Sequence, residues 1–146
     1  MWCGSWRTYS IQLYDELMIF DTDQDINKEK EAISLYLKVQ KGTFKKLSPQ
    51  DVDFRILSDN NNVIGYAEIK VLDTTMKDSF PLKVEARKII KLRDKRLSAV
   101  MIWSCLDGIL YLPIDGLSGS SYWDELTGEL MLSYSNKKIF KYVRKP

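Results

Sequence analysis

Histidine is absent from the 146 residues of this chain. With it go histidine-based nucleophile triads, imidazole metal ligands and imidazole general bases. Any catalysis must use carboxylates, lysine, tyrosine, serine or cysteine. Cysteine is scarce too: Cys3 and Cys105 are too few for a disulfide scaffold or a thiolate metal site. Cys105 lies in an apolar run and is expected to pack as a small hydrophobe. No apolar run approaches the roughly 20 residues that cross a bilayer. Residues 1–7 lack the basic start and apolar stretch of a secretory signal, so a soluble, intracellular, cytoplasmic protein is expected. Neither sign of charge is in large excess. A net charge of +2 does not imply nucleic acid by itself, so its distribution must carry that argument. Internal repeats, low-complexity tracts, linkers, phosphate-binding glycine loops, Rossmann fingerprints and nucleophile elbows are all missing.

What is present suits one compact domain with a real core, since 45% of the residues are hydrophobic. Residues 10–19 space Ile11, Tyr14, Leu17 and Met18 as on a short helix, although a strand is also compatible. From Lys28 to about Lys41 the stripe Ala32, Ile33, Leu35, Tyr36, Val39 has helical spacing, with Asn27 as its N-cap and Gly42 beyond its end. Ser48-Pro49 begins a loop. Residues 53–57 and 63–71 read as strands around Ser58-Asp59-Asn60-Asn61-Asn62, a hairpin signal because Asn and Asp tolerate left-handed backbone. Residues 83–96 read as a basic helix. Residues 99–105 and 109–114 read as strands joined across Asp107-Gly108, and 130–143 has further strand-like stretches. The order of helix, hairpin, helix and strands indicates an α/β fold.

The hairpin carries the chemistry. With its turn centred on Asn60-Asn61, Leu57 faces Ile64 and Asp53 faces Glu68. Their Cβ atoms would then lie about 4.5–5.5 Å apart, a destabilising pair of like charges unless a cation offsets them. Strand alternation puts Lys70 on the face of Glu68, while Val63, Ala67, Ile69 and Val71 face the core. The apolar residues flanking Glu68 suggest a central strand. Two carboxylates offer the oxygen ligands that suit Mg²⁺, with Mn²⁺ as substitute. Such a cation lowers the pKa of a water, and a lysine can orient the resulting hydroxide or screen a phosphate.

Asp53-Phe54, a hairpin, and then Tyr66-Ala67-Glu68-Ile69-Lys70 together resemble the core of the PD-(D/E)xK nuclease superfamily. The likeness is to Holliday-junction resolvases and small phage nucleases. Upstream, Glu29-Lys30-Glu31-Ala32-Ile33-Ser34-Leu35 resembles their first core helix, and residues 99–111 resemble the strands after the next helix. Coverage is roughly residues 27–114. The resemblance implies a restriction-endonuclease-like core, a central mixed sheet flanked by helices. It implies a Mg²⁺-dependent endonuclease acting on DNA, of junction or flap form among others. Asp53 and Glu68, with the Ile69 carbonyl, would hold the metal, and Lys70 would orient the attacking water. Glu29 would support the site from the first helix; it lies on the buried stripe, whereas Glu31 lies nearer its edge. Homodimers and a phage origin are also features the resemblance implies. The chain departs from the motif at Val52, where a proline is usual, and Asp51 competes with Asp53 for the first acid. Asp53 is preferred because it pairs with Glu68. A catalytically inactive copy that binds nucleic acid or a protein is the alternative.

The segment 83–96 holds Lys83, Arg87, Lys88, Lys91, Arg93, Lys95 and Arg96, with Val84, Ile89, Ile90 and Leu92 to bury its other side. Such a face neutralises phosphates or is merely solvated. By the resemblance Lys88, or else Arg87, would reach the site, with Lys91 on the same basic face. Lys137, Lys138, Lys141, Arg144 and Lys145 interleave with aromatics near the C-terminus, which suits either nucleic-acid contact or an edge strand guarded by lysines. Asp21-Thr22-Asp23-Gln24-Asp25 starts like a calcium loop but has Ile26 where glycine is required. Trp2, Trp6, Trp103 and Trp123 are expected in core or interface.

Overall fold

Val63–Val71 forms the longest strand, buried at its centre through Ala67, Glu68 and Ile69, and the rest of the fold is arranged around it. The structure, a computed structural model, describes residues 26–48, 51–114, 119–136 and 140–146. Residues 10–19, the acidic turn 21–25, Cys3, Trp2, Trp6, Pro49, Lys137 and Lys138 lie outside them. In chain order the elements are helix α1 (26–36), strands β1 (Thr43–Lys46), β2 (Phe54–Leu57) and β3 (Val63–Val71), a 3-10 turn (Lys77–Ser79), β4 (Leu82–Glu85), helix α2 (Ala86–Asp94), β5 (Ala99–Cys105), β6 (Gly108–Pro113), β7 (Ser120–Asp124), β8 (Glu129–Tyr134) and β9 (Lys141–Arg144). This is an α/β fold. A six-stranded sheet runs β1-β2-β3-β5-β6-β9, and a smaller sheet runs β4-β8-β7. All neighbours are antiparallel except β3 and β5, which are parallel, so the large sheet is mixed.

Alternation sorts the core into two layers. Ala67 and Ile69 of β3, Val100 and Ile102 of β5, and Ile109 of β6 pack against Ala32, Ile33 and Leu35 of α1. Met101, Trp103 and Cys105 of β5, with Leu110 and Leu112 of β6, face the other way, onto Leu82 and Val84 of β4 and Ile89 and Leu92 of α2. Trp103, fully buried, donates its indole N–H to the Lys83 carbonyl (3.1 Å) and so ties the large sheet to the small one. Cys105 is buried as a small apolar group. β3 is covered on both faces, as its apolar flanks suggested.

Several boundaries differ from the sequence expectations. Residues 26 and 27 are already helical, so Asn27 is not the N-cap of α1. The helix stops at 36, where Lys38 and Val39 bond back only three residues, to the Leu35 and Tyr36 carbonyls. Val39 is 55% exposed and leaves the buried stripe. Strand β1 was not anticipated. The basic helix expected over 83–96 is a strand followed by a shorter helix: Leu82 and Val84 alternate inward in β4, opposite Tyr134 and Leu132, before α2 begins at Ala86. Lys83 is therefore a strand residue, and the phosphate-facing helix loses it.

The hairpin turn encloses one residue fewer than expected, 58–62 in place of 58–63 between the paired flanks. Ser58 N–H donates to the Asn62 carbonyl, Asn61 N–H to the Ser58 carbonyl, and Asn61 takes φ 62°. Leu57 consequently faces Val63, not Ile64, and a register shift between Ile56 and Leu57 absorbs the difference. Beyond that shift Ile56 faces Gly65 and Phe54 faces Ala67, which puts Asp53 level with Glu68 as expected. At the far edge, β9 is an edge strand carrying Lys141 and Arg144. Trp123, by contrast, is 61% exposed. No helix of the described residues is long and apolar enough to cross a membrane.

Candidate active site

Asp53 and Glu68 interlock across the β2–β3 ladder. The Asp53 backbone N–H donates to Glu68 Oε2 (3.3 Å), and the Ile69 N–H donates to Asp53 Oδ2 (2.8 Å). Each acid is thus fixed by backbone belonging to the other's strand. Glu68 is only 4% exposed, on the face that carries Met101 and α2. Burial, and then the Asp53 carboxylate, push its pKa from the ordinary 4.5 up to about 7, against the opposing pull of Lys88 and Lys91.

Glu29 of α1 reaches the same place through a lysine. Lys46 Nζ, at the end of β1, lies 3.0 Å from Glu29 Oε1 and 3.3 Å from Asp53 Oδ1. It also sits 5.0 Å from the Phe54 ring centroid. Burial works against its charge, but Asp53 and Glu29 outweigh it and raise its pKa. Glu31 points away and pairs with Lys145 (2.6 Å). Asp51 is likewise elsewhere, paired with Lys95 and bound to its neighbour's Val52 N–H (2.7 Å). The geometry therefore selects Glu29 over Glu31 as the acid that reaches Lys46, and Asp53 over Asp51 as the neighbour of Glu68.

Lys70 shares the Glu68 face and is held by an acid that sequence reasoning missed. Its ammonium lies 3.1 Å from Glu85 Oε1, at the junction of β4 and α2. Lys88 (3.4 Å) and Arg87 (3.6 Å) converge on Glu85 Oε2. Burial opposes the Glu85 charge, yet Lys88 and Lys70 prevail and hold its pKa down to about 2. Arg87 is more than half exposed and turned toward Glu129 (2.6 Å). Of the two residues the resemblance offered, Lys88 is the inward one, because it also lines the cleft.

That cleft is open and polar, about 310 Å³, and is lined by Lys28, Glu29, Ile69, Lys70, Val71, Asp73 and Lys88. Asp53 and Glu68 are not among its lining residues. Lys91 acts on Glu68 only through its charge. Among the described residues no three acids or cysteines converge into a ready-made metal cage. The donor set that does exist is two carboxylates, one of them dried and raised in pKa by the other, beside the Ile69 backbone. Carboxylate and carbonyl oxygens are the donors a hard divalent cation such as Mg²⁺ takes, although Lys46 already pairs with Asp53 Oδ1; a bound cation would favour the ionised form of Glu68.

Lys46 and Glu85 are the two residues that the sequence reading did not find. Each belongs to a four-residue strand, and each would have emerged only if that strand had been assigned. Comparison with known proteins yields no match to a family model, to a curated protein or to a solved structure.

Proposed function

We propose that this chain is a Mg²⁺-dependent nuclease of the PD-(D/E)xK type, with a restriction-endonuclease-like core, hydrolysing phosphodiester bonds in DNA. The observation that carries the reading is the interlocked Asp53–Glu68 pair with Lys70 on the same face. Its supporting context is a mixed sheet with one helix against each face, the first of which brings Glu29 to Asp53 through Lys46. Asp53 and Glu68 would hold the cation, with the Ile69 carbonyl as further ligand. When bound, Mg²⁺ would polarise the scissile phosphate and acidify an attacking water.

The chain's own groups do the rest. Lys70, kept in place by Glu85, presents an ammonium at the cleft wall where charge develops on the phosphate. Lys28 and Lys88 line the same cleft and neutralise flanking phosphates, and Lys91 extends this charge along α2. The test is cleavage of junction, flap, duplex and single-stranded DNA with Mn²⁺, comparing wild type with Lys70→Ala and Asp53→Ala. Cleavage that persists in both variants would remove this site from the reaction.

One observation favours a second reading, an inactive copy that binds nucleic acid or a protein: both Lys46 and Lys70 are already engaged by acids. That reading expects salt-dependent DNA binding without Mn²⁺ uptake. Wild-type protein that takes up Mn²⁺, and loses it in Asp53→Ala and Glu68→Ala, argues for the enzyme.

A further inference from the structure

We propose that Lys46 is an internal cation that holds the acidic site in a metal-free resting state, so that a divalent ion must displace it. The proposal rests on the nuclease reading and concerns how that site is loaded.

Two carboxylates, Glu29 of α1 and Asp53 just before β2, converge on Lys46, and Asp53 in turn donates its backbone N–H to Glu68 of β3. Glu29 and Asp53 are mostly enclosed, with side chains 16% and 18% exposed. Left alone they would repel one another. Lys46 Nζ bridges them, 3.0 Å from Glu29 and 3.3 Å from Asp53 Oδ1. Asp53 Oδ2 is meanwhile fixed by the Ile69 N–H. The oxygen that Lys46 occupies is therefore the one left to a metal ion. Ammonium and cation compete for a single position.

The fold lets this lysine leave. β1 is a four-residue edge strand that pairs with β2 alone. The ammonium is a compact charge on a flexible four-carbon stem and needs no backbone change to swing out. Its side chain is 29% exposed, so solvent is within reach. Lys70 does not compete in this way, because its ammonium is held by Glu85.

The test is calorimetric titration of Mn²⁺ into wild type, Lys46→Met and Lys46→Arg. Lys46→Met should bind Mn²⁺ at least about tenfold more tightly than wild type, while Lys46→Arg, which keeps the charge, should not. Without metal, Lys46→Met should melt at a lower temperature than wild type, and Mn²⁺ should raise its melting point by more. A measurement on the unaltered chain stands beside these. Acetylation of Lys46 by an active ester, followed by mass spectrometry, should accelerate when Mg²⁺ is added, with exposed Lys45 on the same strand as the unchanging reference. Equal Mn²⁺ affinity in wild type and Lys46→Met, or unchanged Lys46 acetylation with Mg²⁺ bound, overturns the displacement and leaves the nuclease reading standing. Absence of Mn²⁺ binding in every variant overturns both.

Discussion

Replacing Glu68 by glutamine should make the protein more stable, and by an amount that depends on pH. Glu68 is 4% exposed and its pKa rises from 4.5 to about 7 on folding. The folded state therefore holds a proton that the unfolded chain releases, and stability falls as pH rises through that window. At about 1.4 kcal/mol per pH unit, ionised Glu68 costs the fold about 3 kcal/mol at pH 8, but only about 1 kcal/mol at pH 5. Glutamine keeps the acceptor for the Asp53 N–H and carries no charge to desolvate. The Glu68→Gln variant should gain most of that penalty at pH 8, seen as a melting point higher by roughly 5–10 °C for a chain of this size. Urea unfolding at pH 5 and pH 8 reads the difference directly, with an unchanged slope showing that the unfolded state is the same. Mn²⁺ should stabilise wild type at pH 8 and not the variant, because the cation removes the same penalty through the carboxylate. A variant that is destabilised at pH 8, or shifted equally at both pH values, would refute the claim that Glu68 is dried and charged against the fold.

On the nuclease reading, Lys70→Ala should lower DNA cleavage by roughly 10²–10³-fold, as expected for loss of a donor to developing charge, with DNA affinity in a binding assay much less changed. Glu85 has a depressed pKa, so its stabilising effect is full above 4.5 and disappears as pH falls toward about 2. Glu85→Gln should accordingly flatten the acid limb of a stability–pH curve, measured by circular dichroism, and loosen Lys70. Trp103→Ala removes a fully buried indole, its contacts with Tyr134 and Phe140 and its bond to Lys83. It should cost about 3–5 kcal/mol in chemical denaturation, if the chain still folds. Asp53→Ala should abolish Mn²⁺ uptake in calorimetry while leaving the far-ultraviolet spectrum intact.

The centre of the site was legible because it rests on local rules. Alternation put Lys70 with Glu68, and the Asn-rich turn brought Asp53 level with Glu68. That second inference survived an error, since the turn encloses one residue fewer and the shift at Ile56/Leu57 restores the register before the acids are reached. What could not be read depends on distant partners. Lys46 meets Glu29 across 17 residues, and Lys70 meets Glu85 across 15, with nothing local to mark either pair. Both newcomers sit in strands too short for a period to show. In β4 the charges of Lys83 and Glu85 concealed the alternation of Leu82 and Val84, and a helix looked more natural. The end of α1 failed for another reason: Val39 continues the apolar stripe in sequence, but the hydrogen-bond ladder has already tightened before it.

The parallel β3–β5 pairing has a consequence for the order of assembly. The β2–β3 hairpin closes over a few residues, so Asp53 and Glu68 can meet early. Tyr66 cannot join Ala99, nor Val71 join Ser104, until the whole crossover through β4 and α2 has folded back. Such non-local closures come late and slow the search. On that order Glu68 would be dried only when α2 and β5 arrive. Ionising it should then act mainly on the return path: raising the pH from 5 to 8 should speed unfolding far more than it slows folding.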